Sequence, residues 1–276
     1  ETIVLLERLS KLYPDTMTYR GQLIEAYHFA KRPEKASETL KAAETHFHAG
    51  GRWSEGNVAT LASSLLTAEM LPRAAELFEE AVTLRTRALN NRTLNDATLS
   101  SWYQQLAQTY SRLKKTAPAV EAASAAIMAW GATQTQRNDA INTLHSVLSQ
   151  AADLPEYIKQ LDADSAKTGK DSPLIRKELG KVLKEKGQFE RAMVQFRAAK
   201  ELQPNDREVY QALLECLDKL DRRTEATREL LAQVDVDRHD LKLYEQLAER
   251  LQDDEALSQR AITSIIEAAP NEAENH

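Results

Sequence analysis

The chain repeats a short pattern about every 34 residues, so it must bury its apolar surface between successive copies of one small unit. The clearest unit, 173–206, reads as two amphipathic helices hinged at Gly187. Leu179 and Gly180 belong to the first helix, Phe189, Ala192, Phe196 and Ala199 to the second, and Pro204 ends it. Matching patterns occupy 17–50, 55–88, 100–133, 138–171, 207–240 and 241–274, with irregular links at 51–54 and 89–99. Residues 1–16 fit a lone second helix whose Pro14 takes the place of Pro204. The unit 138–171 is the poorest match, because Tyr157 and Asp164 stand where alanines are expected.

Apolar residues three, four and seven apart make one stripe per helix. Small residues such as Gly180 and Ala192 fall where two helices must approach, and Phe196 fills the space opposite. Lys31, Gly187 and Asp221 fall at the turn between paired helices, where a positive φ is expected. With only eight Gly, eight Pro and no long β-branched runs, the expected fold class is all-α.

A helix–turn–helix unit of this length and residue order resembles the tetratricopeptide repeat, TPR. The resemblance implies a right-handed α-solenoid of about seven repeats, read as one superhelix over 1–276. It also implies a protein-interaction scaffold that binds a peptide or protein segment in the concave groove lined by first helices. An alternative from another class is the substrate-recruiting or regulatory arm of a larger enzyme whose catalytic domain lies elsewhere. The chain opens at Glu1 in what reads as half a hairpin, so it is expected to be a piece of a longer protein. Repeat ends that lack a polar cap would let copies pair end to end.

The expected groove face of 55–88, 100–133 and 138–171 is almost uncharged. It offers Ala59, Ser63, Gln104, Gln108, Ser111, Arg112, Asn142, Ser146 and Gln150. Such amides and hydroxyls donate and accept hydrogen bonds, as an extended peptide backbone requires, and equally they suit a solvated helix face. In 173–206 the face carries Lys177, Lys181 and Lys184, and the acidic Glu208, Glu215 and Asp218 follow. These charges either orient a charged ligand or pair locally between helices. The candidate peptide-binding residues are thus Gln104, Gln108, Arg112, Asn142, Ser146, Lys177 and Lys181.

Resemblance to the TPR adaptors of chaperones raises the carboxylate clamp, built of two Lys, two Asn and one Arg. Lys177 and Lys242 match it, but Lys181, Ala212 and Gln246 replace the two Asn and the Arg, which removes most of the grip. No catalytic motif is present, and neither cofactor nor metal is expected: His46 and His48 fall on opposite sides of a helix, and lone Cys216 reads as packed. A net charge of −6 argues against nucleic acid as the partner, and no run is apolar enough to span a membrane. Trp53, in the Gly-Gly link, and the insertion at 87–98 are further candidate contact points.

Overall fold

The computed structural model describes residues 1–90, 95–129, 133–236, 240–251, 258–259 and 263. Among them lie fourteen α-helices and no strand. Contacts divide the chain into two compact units, Glu1–Leu161 and Asp162–His276.

The first unit holds α1 (Thr2–Leu12), α2 (Met17–Phe29), α3 (Pro33–Ala49), α4 (Glu55–Thr67), α5 (Leu71–Ala88), α6 (Ala97–Arg112), α7 (Thr116–Met128) and α8 (Gln134–Gln150), with the start of α9 (Leu154–Thr168). The second holds α10 (Pro173–Glu185), α11 (Phe189–Leu202), α12 (Arg207–Lys219), α13 (Arg223–Val236) and α14 (Leu241–Arg250). Consecutive helices pack on one another from α1 to α3, from α4 to α8 and from α10 to α14, and a first helix also touches the next first helix: α2 with α4, α6 with α8, α10 with α12. Trp130, His239, residues 91–94 of the insertion and most of the second helix of 241–274 lie outside the described residues.

Local chemistry marks each hairpin. Ser54, Asp96, Thr133, Ser172, Asp206 and Asp240 each cap a first helix with a side-chain oxygen that accepts a backbone N–H of its first turn. At the other end of the hairpin, Lys31, Glu69, Lys114, Gly187 and Asp221 hold φ between 54° and 71°. In each case the next residue donates its N–H back into the preceding helix, as Arg32 to Tyr27 O and Gln188 to Leu183 O, both 2.9 Å. That is a Schellman turn, and four of the five use a residue with a Cβ. A Cβ in this region costs about 1–2 kcal/mol, part of which glycine returns as lost chain entropy. Replacing Lys31, Glu69, Lys114 or Asp221 by Gly should therefore raise stability by roughly 0.5–1 kcal/mol each. Urea midpoints of the single and quadruple variants check this.

The α8–α9 turn is different. Ala151 is extended, with ψ 116°, and of α9 only Leu154 is buried. Tyr157 and Asp164 cannot fill the small-residue positions that close the other hairpins, which accounts for the poor match of 138–171. Two helices begin earlier than their repeats suggest, α6 at Ala97 and α8 at Gln134, because the caps Asp96 and Thr133 lie upstream.

The cores are aliphatic, with one fully enclosed phenyl ring in each of the α2–α3, α4–α5 and α10–α11 hairpins: Phe47, Phe78 and Phe196. Gly180 is the counterpart of Phe196, since a Cβ there would lie 2.5 Å from the ring. The second unit also buries a polar cluster that the sequence pattern does not announce. Arg176, 4% exposed, donates to Asp171, to Asp162 and to Gln195 Oε1.

Candidate functional site

Between α6 and α8, both in the first unit, lies a groove of about 370 Å³. Gln108, Ser111 and Arg112 line it from α6, and Asn142, Ser146 and Gln150 line it from α8. Thr143 and Val147, both buried, form its floor. The heptad-like spacing 104/108/111/112 and 142/146/150 places these side chains along one edge of each helix.

Four of the candidate residues, Gln108, Arg112, Asn142 and Ser146, thus share one wall-and-floor arrangement, while Gln104 plays a different part. It is half-buried, its Oε1 lies 3.2 Å from Thr143 Oγ1, and Ser100 below it donates to Ala126 O. Gln104 ties α6 to α8 and does not line the groove. Arg112 is the groove's one cation and is already engaged, donating to Leu66 O at 3.1 Å and Glu69 at 3.0 Å. Gln150 donates to Ser146 Oγ at 2.9 Å. The amides of Gln108 and Asn142 are exposed and make no hydrogen bond among the described residues. Ala59, expected to be open, is buried under its neighbours at 3% exposure.

Lys177 and Lys181 lie in the second unit and are spent on neighbours. Lys177 reaches Asp206 at 2.8 Å and Glu208 at 3.0 Å; Lys181 reaches Glu208 at 2.6 Å and Glu178 at 3.0 Å. Burial alone would lower both lysine pKa values, yet the carboxylates overcome it and hold both above the ordinary range. Lys181 in turn depresses Glu208. Lys184–Glu215, Lys200–Glu229 and Arg250–Asp218 extend the pattern, each pairing one hairpin with the next. The lysine stripe and the acidic residues after it are one inter-hairpin ladder, and a ligand would have to compete with it for either sign of charge.

Trp53 is half-buried rather than presented: its ring stacks on His48 at 4.0 Å and its Nε1 donates to Glu80 at 2.6 Å. His46 faces the other way, bonded to Asp15, which Arg52 also holds. Trp102 and Tyr103 pack on Val82, Leu99 and Ala129. Cys216 is fully buried, and burial pushes its thiol up to about 11, so thiolate chemistry is suppressed. Among the described residues no group of three His, Cys, Asp or Glu could hold a metal, and no helix is long and apolar enough to cross a membrane.

Stacked two-helix hairpins with a polar groove between first helices define a helical-repeat protein. A model of the tetratricopeptide repeat family matches residues 178–206, the greater part of the α10–α11 hairpin. No curated protein sequence matches the chain. Among solved structures, it is similar to the C-terminal part of a TPR repeat-containing protein from Cytophaga hutchinsonii, at 13% identity and TM-score 0.37, over 98% of this chain and 90% of that one. It is also similar to a thermophilic TPR protein from Thermus thermophilus, at 16% identity and TM-score 0.31, over 86% and 99% of the two chains. A third is YrrB, described as a TPR protein with an unusual peptide-binding site, at 16% identity and TM-score 0.31, over 78% and 86%.

Proposed function

We propose that the chain is a protein-interaction scaffold and that the α6/α8 groove seats an extended, uncharged peptide segment. The observation that carries this reading is the pair of exposed, unengaged amides, Gln108 and Asn142, on facing helices above a buried floor. An amide supplies a donor and an acceptor together, which matches the alternating N–H and C=O of a peptide backbone. The one cation, Arg112, is held back by Glu69, so affinity rests on neutral hydrogen bonds and responds weakly to salt.

Selection from a displayed peptide library against the chain tests the proposal. Enriched peptides should be poor in charge, and Gln108→Ala with Asn142→Ala should weaken them about 30-fold, as two hydrogen bonds of ~1 kcal/mol each require. Gln104→Ala serves as the contrasting variant, because it loosens the α6–α8 tie. Peptides whose affinity ignores Gln108 and Asn142, or falls steeply with salt, would sink the proposal.

A further inference from the structure

One buried position breaks the repeat. Ala36, Ala74, Ala119, Ala192 and Ala226 align from hairpin to hairpin, and seven residues beyond the first four come Ala43, Ala81, Ala126 and Ala199, all buried. The same step from Ala226 in α13 reaches Gln233. Where four second helices bury a methyl group, this one buries a primary amide, and the residue is 2% exposed. Its Oε1 is shut off from water and accepts a hydrogen bond from no described residue. A buried carbonyl without a donor carries a desolvation cost that the alanines of the other hairpins avoid.

Gln233 lines a cavity of about 220 Å³ within the second unit. Asn205 lines it from the loop before α12, Arg207 and Tyr210 from the start of α12, and Val236 from the end of α13. Tyr210 is buried, whereas Val236 is open to solvent, so an apolar wall leads inward to the amide. The cations beside the cavity are already engaged. Arg207 lies 3.5 Å from Asp240, and Lys200, whose Nζ stands over the Tyr210 ring at 5.3 Å, pairs with Glu229 at 2.6 Å. An anion would have to compete for either of them. A neutral ligand is offered apolar surface and one buried acceptor.

We infer that this cavity binds an indole ring, with the ring N–H donating to Gln233 Oε1. A ligand that reaches Gln233 past Tyr210 and Val236 must carry its donor on an apolar body, or it buries polar atoms at a cost. An indole N–H donates and accepts nothing, so it leaves no second polar atom unpaired, as the lone pairs of a hydroxyl would be. The chain already seats one indole in this way: Trp53 stacks on His48 and donates from Nε1 to Glu80 at 2.6 Å. Two sources supply such a ring, a small indole and the tryptophan side chain of a partner polypeptide. The site is separate from the α6/α8 groove and does not depend on it.

The test titrates indole into the chain, followed by saturation-transfer NMR, beside benzofuran, which keeps the shape but puts an acceptor where the N–H was. Indole should bind with a Kd on the order of 1 mM, and benzofuran about tenfold or more weakly than that. Gln233→Leu should erase the preference and raise the urea midpoint, because it removes the unpaired carbonyl. Val236→Glu should weaken indole several-fold, while Gln108→Ala and Asn142→Ala should leave it unchanged. N-acetyltryptophanamide separates the two sources: affinity equal to that of indole assigns the site to a partner's tryptophan, and its exclusion assigns the site to a small indole. Failure of indole to saturate by about 10 mM, benzofuran binding as tightly as indole, or a lower urea midpoint in Gln233→Leu would each overturn the inference. The last would mean that water already satisfies the carbonyl.

Discussion

Arg176→Met is expected to destabilise the second unit by about 3–5 kcal/mol, the cost of breaking a buried ion pair from one side. The guanidinium side chain is 5% exposed and holds Asp171, itself 10% exposed, at 2.8 Å. Methionine keeps much of the volume but leaves the Asp171 charge out of water and without its cation. The double variant Arg176→Met with Asp171→Leu should recover most of the loss, because it removes the stranded charge as well. If the double variant is as unstable as the single one, the guanidinium acts through packing instead. The pH dependence gives a second reading. Burial raises the Asp171 pKa, but Arg176 and the Ser172 N–H outweigh it and hold it below the usual carboxylate range. A depressed folded pKa contributes stability that is present above the unfolded value of about 3.9 and is lost as pH falls through the folded one. In Arg176→Met burial acts on Asp171 against the Ser172 N–H and the Ser165 hydroxyl alone, so its protonation costs folding less than in the wild type. The gap between wild type and variant should therefore narrow below about pH 4, measured by urea unfolding at pH 7 and at pH 3.5.

That cluster also shows where reading the sequence stops. Helix pairing was legible because it rests on period: Leu179, Ala192, Phe196 and Leu213 recur at fixed offsets, and each is buried. Gly187 announced its turn, and Lys31, Glu69, Lys114 and Asp221 stand at the same offset in their repeats, although none of the four is a residue type that advertises a positive φ. Arg176 lies on α10 among Lys177, Lys181 and Lys184, and nothing in the one-dimensional pattern separates the buried cation from the half-buried ones. Its partners, Asp162 and Asp171, sit in the repeat with the weakest pattern. The groove was legible in part. Helical spacing put Gln108, Arg112, Asn142 and Ser146 on facing edges, but whether an amide is open or committed depends on a neighbour's rotamer, and Gln104 is committed. The lysine stripe left two readings open, a face that orients a charged ligand or local pairing between helices, and it is the pairing that the structure holds.

Three glycines in first helices turn the close-packing argument into a sign. In an open helix, Gly→Ala raises stability by up to about 1 kcal/mol, since alanine has the better helix propensity. Gly56, near the start of α4, should behave this way, because a Cβ there would meet nothing within 4 Å. Gly21 in α2 faces Ser64 in α4, whose Cβ would lie 2.9 Å away. A serine hydroxyl can rotate, so Gly21→Ala should end near neutral or cost about 1 kcal/mol. Gly180 faces three atoms of the Phe196 ring at 2.5, 2.6 and 2.8 Å, and that ring is fully enclosed and cannot step aside. Gly180→Ala should therefore cost about 1–3 kcal/mol despite the gain in propensity. Gly180→Leu should cost more and release the α10–α11 hairpin. Phe196→Ala, which empties the same contact, should cost about 3–5 kcal/mol. If ring and glycine act as one fitted pair, the Gly180→Ala cost should largely vanish in a Phe196→Leu background, a coupling of about 1 kcal/mol or more in a double-mutant cycle. Additive costs would mean that the hairpin yields elsewhere, and that the small-opposite-large pattern running through the repeats is not what sets the distance between its helices.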